Sequence, residues 1–296
     1  MQIETGGFID IVNELSGGRI DIALHAGEEL VPNDEMYDAV QRGTLELCYN
    51  APAYYEDKLP VAGVENGMPF AWSNTDEVLG FWYYADMDNV LRDAYAEKGL
   101  AWLGYVPTSA YTMVTNKPVT NLAGLKKLTI RAYGTFADMF SRAGINAVYV
   151  PFTEVYVAMS RGTVDGALMA DPAEYYDMKF QEVATQFVMP AFLEPYMNVI
   201  FMNLDVFNSL TPEDQAILRT AVEAYRNPVR QWYLSQGKQA LKAMSDAGME
   251  VVTLPTEDVN ELLQSAFEIW DERATEDPLR AQMTEKLKEW RAILAG

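Results

Sequence analysis

Between Leu128 and Pro172 the chain alternates strand, helix, strand, helix, strand with almost no filler, and this pace constrains the fold more than any other feature. Leu128 to Ala132 is a short β run broken at Gly134. Thr135 to Ala143 carries apolar residues at helical spacing (Phe136, Met139, Phe140), stopped by Gly144. Ala147 to Val150 reads as a second strand closed by Pro151. Thr153 is placed to cap a helix with Val155, Tyr156 and Met159 on its apolar face, ended by Gly162. Val164 to Met169 is the third strand. Such alternation predicts βαβ units and a parallel sheet.

Arg131 falls at the carboxyl end of the first of these strands, beside a glycine turn and the start of a helix. Open α/β sheets bind ligands at that edge, and helix amino termini favour anions. A guanidinium is a planar fork matched to a carboxylate. Arg131 therefore has two readings, an anion site or one half of a structural ion pair.

Similar units recur around this stretch. Phe8 to Leu15 has helical spacing, Arg19 to Leu24 alternates as a strand, Asn33 to Gln41 reads as a helix capped by its asparagine, and Leu45 to Tyr49 is a buried strand. The strands end in loops at His25-Ala26-Gly27 and Asn50 to Tyr55. In the second loop Tyr54 and Tyr55 either wall a small polar ligand or pack beneath the loop. Asn74 to Lys98 is mainly helical, with Trp82 expected in the core. Leu100 to Gly104 and Tyr111 to Thr115 read as strands flanking Val106-Pro107-Thr108, a plausible domain crossing. Tyr175 to Val188 is helical or mixed, and Asn198 to Asn203 is an apolar strand. Thr211-Pro212-Glu213 then opens a helix of roughly 35 residues, about 50 Å at 1.5 Å per residue. That length suits a helix spanning two domains, with a kink expected at Pro228. Met249 to Leu254 reads as a strand, and the remainder as acidic helix with Trp270 and Trp290 as anchors.

Composition excludes much chemistry. A formal net charge of −21 argues against nucleic acid and against anionic membrane surfaces. No apolar run approaches the ~18 residues of a membrane span. His25, the single histidine, rules out two-histidine metal centres, and a solvated loop residue is the plainer account of it. Cys48, the single cysteine, reads as a core thiol. There is no GxSxG, P-loop or GxGxxG. The opening MQIETGG shows no signal peptide, as expected of a mature or truncated form.

Several blocks in order carry a resemblance: LSGGRIDIALHAGEELVPNDEMYDAVQRGTLEL, TNKPVTNLAGLKKLTIRAYG, VYVPFTEVYVAMSRGTVDGA and NLDVFNSLTPEDQAIL. Together they resemble the solute-binding proteins of TRAP (tripartite ATP-independent periplasmic) transporters. The branch indicated by GEELVP and LEPYMNVIFMN is the one that binds 2-oxo or hydroxy monocarboxylates. The resemblance implies a periplasmic receptor, not an enzyme, with two α/β lobes closing around a small organic acid and membrane subunits as partners. It implies lobe I from 1–108 and 199–235, lobe II from 109–198 and 236–296, and a bridging helix at about 212–247. Arg131 occupies the position of the family arginine that holds the ligand carboxylate. The branch's cation-holding Glu and Trp fall at Leu168 and Met169, neither of which suits a hard cation. Metal-free binding without a cofactor is therefore expected. Met169, Tyr111, Tyr133 and Phe192 are candidate walls of a comparatively apolar pocket. Glu194 keeps the family's L-E-P acid, and Asp171, Asn50 and Tyr54 are further candidate contacts. The rival reading is a lyase or isomerase using Asp171 or Glu194 as base.

Overall fold

The computed structural model describes residues 2–25, 28–108 and 110–295, with the side chains of 2–6 left aside. The chain forms two compact units. The first comprises Met1–Asn66, Trp82–Thr108 and Met197–Trp232, and the second Gly67–Phe81, Ser109–Tyr196 and Tyr233–Gly296. The mixed α/β class read from the sequence is the class observed.

In the first unit β1 (Leu47–Asn50) and β2 (Leu100–Pro107) flank β8 (Met197–Asn203), all antiparallel. Both β2 and β8 are buried along their whole length, in keeping with the apolar runs Leu100 to Leu103 and Val199 to Met202 within them. Trp82 packs on Tyr105 at 4.9 Å between ring centroids with the planes tilted by 56°, inside this core as expected. Cys48 is buried, and burial pushes its thiol well above the ordinary range.

Two expectations for this part of the chain give way. Arg19 to Leu24 forms no strand. Its alternation is real, but its residues are exposed or half-buried with no strand beside them, and Arg19 instead pairs with Glu213 and Asp214. Asn33 does not cap its helix. It lies within the turn Asn33–Glu35, for which Pro32 is the cap residue. The loop at His25-Ala26-Gly27 falls partly on residues 26 and 27, outside the described residues. His25 itself is solvent-exposed, 3.5 Å from a Glu29 oxygen.

The second unit is built on a six-stranded sheet in the order β5-β4-β6-β3-β7-β9. Its strands are β3 (Tyr111–Thr115), β4 (Thr129–Arg131), β5 (Asn146–Val148), β6 (Gly166–Ala170), β7 (Gln186–Leu193) and β9 (Glu250–Thr253). β4 runs parallel to both β5 and β6, as the strand–helix alternation demanded. β3 runs antiparallel to β6 and β7, and β9 runs parallel to β7. One face is sealed by Val114, Val155, Met159, Ala167, Met169, Tyr175, Phe187 and Met244. Thr153 sits inside the turn Phe152–Glu154 rather than capping a helix, and Glu154 at the cap of Val155–Ser160 makes no side-chain cap bond.

The excursion Gly67–Phe81 belongs to the second unit through specific contacts. Phe70 packs on Phe192, Trp72 donates its indole N–H to the Pro195 carbonyl at 2.6 Å, and Trp290 donates to the Glu77 carbonyl. Gly67 permits it: at φ +99° a Cβ would stand 2.5 Å from Leu193 and 2.7 Å from Trp72. The long helix runs from Pro212 to Asp246, 35 residues, through Pro228. Its residues divide between the units at Trp232 and Tyr233.

Candidate functional site

The topology of the second unit creates one special place. From β4 the chain crosses through the helix Gly134–Arg142 to β5 on one side, whereas β6 lies on the other side of β4 and feeds onward to β7. The crevice beyond the carboxyl ends of β4 and β6 is thus a topological switch point, where open α/β sheets hold ligands. The antiparallel β3 begins at that same edge, because Thr112 pairs with Ala170 at the end of β6. β7 ends there as well, with Leu193 opposite Tyr111.

Arg131, the last residue of β4, occupies this point. It is only 2% exposed. Its Nε–H donates to the Val150 carbonyl at 3.0 Å, and Nη1 donates to the Leu168 carbonyl at 3.4 Å. A guanidinium has five N–H groups. Among the described residues no Asp or Glu lies within ion-pair distance of it, so the structural ion pair left open by the sequence is not formed. Two carbonyls orient the fork without neutralising it. A buried charge of this kind carries a desolvation cost of several kcal/mol that only an anion offsets fully. The helix Gly134–Arg142 starts three residues on, with Tyr133 as its cap residue, and its amino end adds partial positive charge.

The other candidates sort by position. Tyr133 follows Arg131 at the same edge, and its ring lies 5.2 Å from that of Tyr149. Tyr111 opens β3 there, packed on Phe136 and Tyr196. Asp171 is present at the edge but has a structural task. Its Oδ1 accepts from the backbone N–H groups of Ala173 and Glu174, and Glu174 reciprocates in a capping box for the helix Pro172–Asp177. Glu194 is half-buried just past β7. Met169 and Phe192 are packed in the core, Met169 on the sealed sheet face and Phe192 between Phe70 and Phe140. Their burial is accounted for without a ligand. Asn50 and Tyr54 belong to the first unit. There Asn50 ties its own turn, donating to the Asn33 carbonyl at 2.9 Å and accepting from Ala51 N–H, and Tyr54 is half-buried in the turn Pro52–Tyr55. Tyr149 and Tyr196 were not singled out from the sequence. Tyr149 stands directly after β5 and Tyr196 three residues past the end of β7, which was the available signal. Among the described residues no cluster of three or more His, Cys, Asp or Glu is arranged to hold a metal ion.

An α/β sheet with a buried guanidinium at its switch point, oriented by two carbonyls, has the chemistry to hold an anion. Comparison with known proteins narrows the class. The model for bacterial extracellular solute-binding proteins, family 7, matches residues 2–277, and the chain belongs to that family. It is 28% identical over 283 residues, 95% of this chain and 77% of the relative, to a monocarboxylate 2-oxoacid-binding periplasmic protein of Nostoc sp.. A TRAP periplasmic solute-binding protein of Chromohalobacter salexigens, solved with (S)-(+)-2-amino-1-propanol, shares the fold at a TM-score of 0.91 and 21% identity, covering 99% of this chain and 92% of that one. A Bordetella pertussis extracytoplasmic solute receptor binding pyroglutamic acid superposes at 0.87 with 20% identity, covering 96% and 94%. The TRAP resemblance read from the sequence therefore holds, as does the assignment to solute capture for transport.

Proposed function

We propose that this protein is an extracytoplasmic receptor that captures a small monocarboxylic acid, binds its carboxylate on Arg131, and delivers it to the membrane subunits of a TRAP transporter. The observation that carries the reading is the buried guanidinium without a carboxylate partner among the described residues. The name of the Nostoc relative supports 2-oxo acids as the ligand class. No helix of the described residues is long and apolar enough to cross a membrane, in keeping with a receptor that hands its solute to separate membrane subunits. Binding needs no cofactor and no metal in this reading, because Leu168 and Met169 supply no hard oxygen ligand beside the arginine. A catalytic role is not part of it: Asp171, a base in the rival reading, uses its Oδ1 to cap a helix.

The bond is charge-assisted and shielded from water, which strengthens it relative to an exposed pair. Removing one partner of such a buried pair costs ~2–5 kcal/mol, or roughly 30- to 4,000-fold in affinity. Isothermal titration of pyruvate and longer 2-oxo acids into wild type and Arg131→Ala tests this. An affinity in the variant within a factor of about three of wild type would refute the assignment.

A further inference from the structure

We propose that Tyr149 and Tyr133 select the body of the bound acid, so that an aryl-bearing monocarboxylate binds in preference to a small or polyhydroxylated one. The inference rests on Arg131 as the carboxylate anchor and concerns what lies beyond the carboxylate.

Tyr149 is the residue next to β5, one strand over from Arg131. Its ring centroid stands 6.0 Å from the Arg131 guanidinium carbon. Its neighbours Val148 and Val150 pack against the sealed core face. In extended backbone successive side chains alternate faces, so Tyr149 is turned away from that core. It remains 47% exposed although it is a large aromatic residue. Tyr133 lies against it at 47° between ring planes, so the two rings form one continuous aromatic surface beside the guanidinium. Tyr111, at the head of β3, carries aromatic surface to the other side of β4.

Several polar groups at this edge hold the edge itself. Asp171 and Glu174 serve the capping box, and the Tyr196 hydroxyl donates to Glu174 at 3.2 Å. A sugar acid needs many convergent donors and acceptors to replace its hydration. An aryl group needs a ring face, and ring faces are what flank Arg131. A tyrosine is also a rigid amphipathic wall that loses little entropy when it takes up a ligand.

The test is calorimetric titration of the full chain with phenylpyruvate, pyruvate and glucuronate. Wild type is expected to bind phenylpyruvate at least ~10-fold tighter than either of the others. In Tyr149→Ala the ratio of phenylpyruvate to pyruvate affinity should fall about 3- to 10-fold, the worth of one aromatic pair. Tyr149→Phe, which keeps the ring, should retain the wild-type ratio, and a native circular dichroism spectrum verifies that both variants fold. An unchanged ratio in Tyr149→Ala, or tighter wild-type binding of pyruvate or glucuronate, would overturn the selection while leaving the carboxylate anchor intact. If none of the three acids binds wild type, or if Arg131→Ala binds phenylpyruvate as wild type does, the anchor itself is wrong and the selection falls with it.

Discussion

Glu65 offers a quantitative test of how this chain handles a buried charge. It lies in the helix Ala62–Asn66 of the first unit and is fully buried. Its Oε1 accepts from the Trp102 indole at 2.6 Å, and its Oε2 is 2.7 Å from the Tyr95 hydroxyl, which in turn is 2.7 Å from the Tyr55 hydroxyl. No Lys or Arg lies within ion-pair distance among the described residues. Arg92, the nearest cation on the facing helix Met87–Ala96, sits over the Trp102 ring at 6.0 Å and pairs with Asp88. Burial pushes the Glu65 carboxyl up to about 8, against the opposing hydrogen bonds from Tyr95 and Trp102 and with a further rise from the charge of Asp88. Tyr55 and Tyr95 are themselves pushed well above the ordinary tyrosine range, so neither titrates in this window. Near neutral pH the folded protein thus holds a proton that the unfolded chain releases at about 4.5. The resulting stabilisation is complete below about pH 4.5 and is lost as pH rises towards 8. At about 1.4 kcal/mol per pKa unit the loss is on the order of 5 kcal/mol. Glu65→Gln copies the neutral form, with its amide oxygen accepting from Trp102 and its NH₂ donating to Tyr95. Urea denaturation of both proteins from pH 5 to 9 should give nearly equal stabilities at pH 5 and a widening deficit of wild type up to pH 8, level thereafter. A constant difference across that range would show that Glu65 binds no extra proton on folding, and the reasoning would be refuted.

Three further outcomes follow from the geometry. Asp171→Ala removes the acceptor of the capping box and should cost ~1 kcal/mol, up to about 2, read as a shift in the denaturation midpoint. Gly67→Ala places a methyl group against Leu193 and Trp72 at a positive φ, and should destabilise by ~1–3 kcal/mol, seen as a lowered melting temperature. Cys48, buried with its thiol pushed up, should resist a thiol reagent at pH 8 in the native protein and react once the protein is denatured.

How much of this was written in the sequence depends on whether the cause was local. The βαβ alternation around Arg131 was legible because helix-spaced and strand-spaced apolar residues alternate with glycine stops, and β4, β5 and β6 fall where that pattern puts them. The long helix announced itself through Thr211-Pro212 and a sustained apolar face. Arg19 to Leu24 misled because alternation becomes a strand only where another strand receives it, and none does. Asn33 and Thr153 are residue types that cap helices, but each lies within a turn of 3₁₀ helix whose cap position is taken by a proline, Pro32 or Pro151. The antiparallel insertion of β3 and the passage of Gly67–Phe81 into the second unit depend on pairings over long sequence separations, which no window of the sequence displays. Arg131 was found from its place after a strand. Tyr149 was overlooked because, at the end of a β-branched run, it reads as one more strand residue.

Glu65 and Arg131 together show why one buried charge reads as architecture and the other is proposed as a site. Both are almost wholly removed from water, and neither has an oppositely charged partner among the described residues. A carboxyl group can resolve that conflict alone by keeping its proton, and Glu65 does so inside a network of Tyr95 and Trp102 that leaves both its oxygens engaged. A guanidinium has no such exit, since it stays charged at any pH a protein meets. Backbone carbonyls at Val150 and Leu168 can aim it but supply no negative charge. Folding therefore leaves a deficit at the end of β4 that a bound anion removes, and the free energy released on removing it is available for binding. That is why the ligand of this fold is sought at Arg131 and not at the equally buried carboxyl group of the first unit.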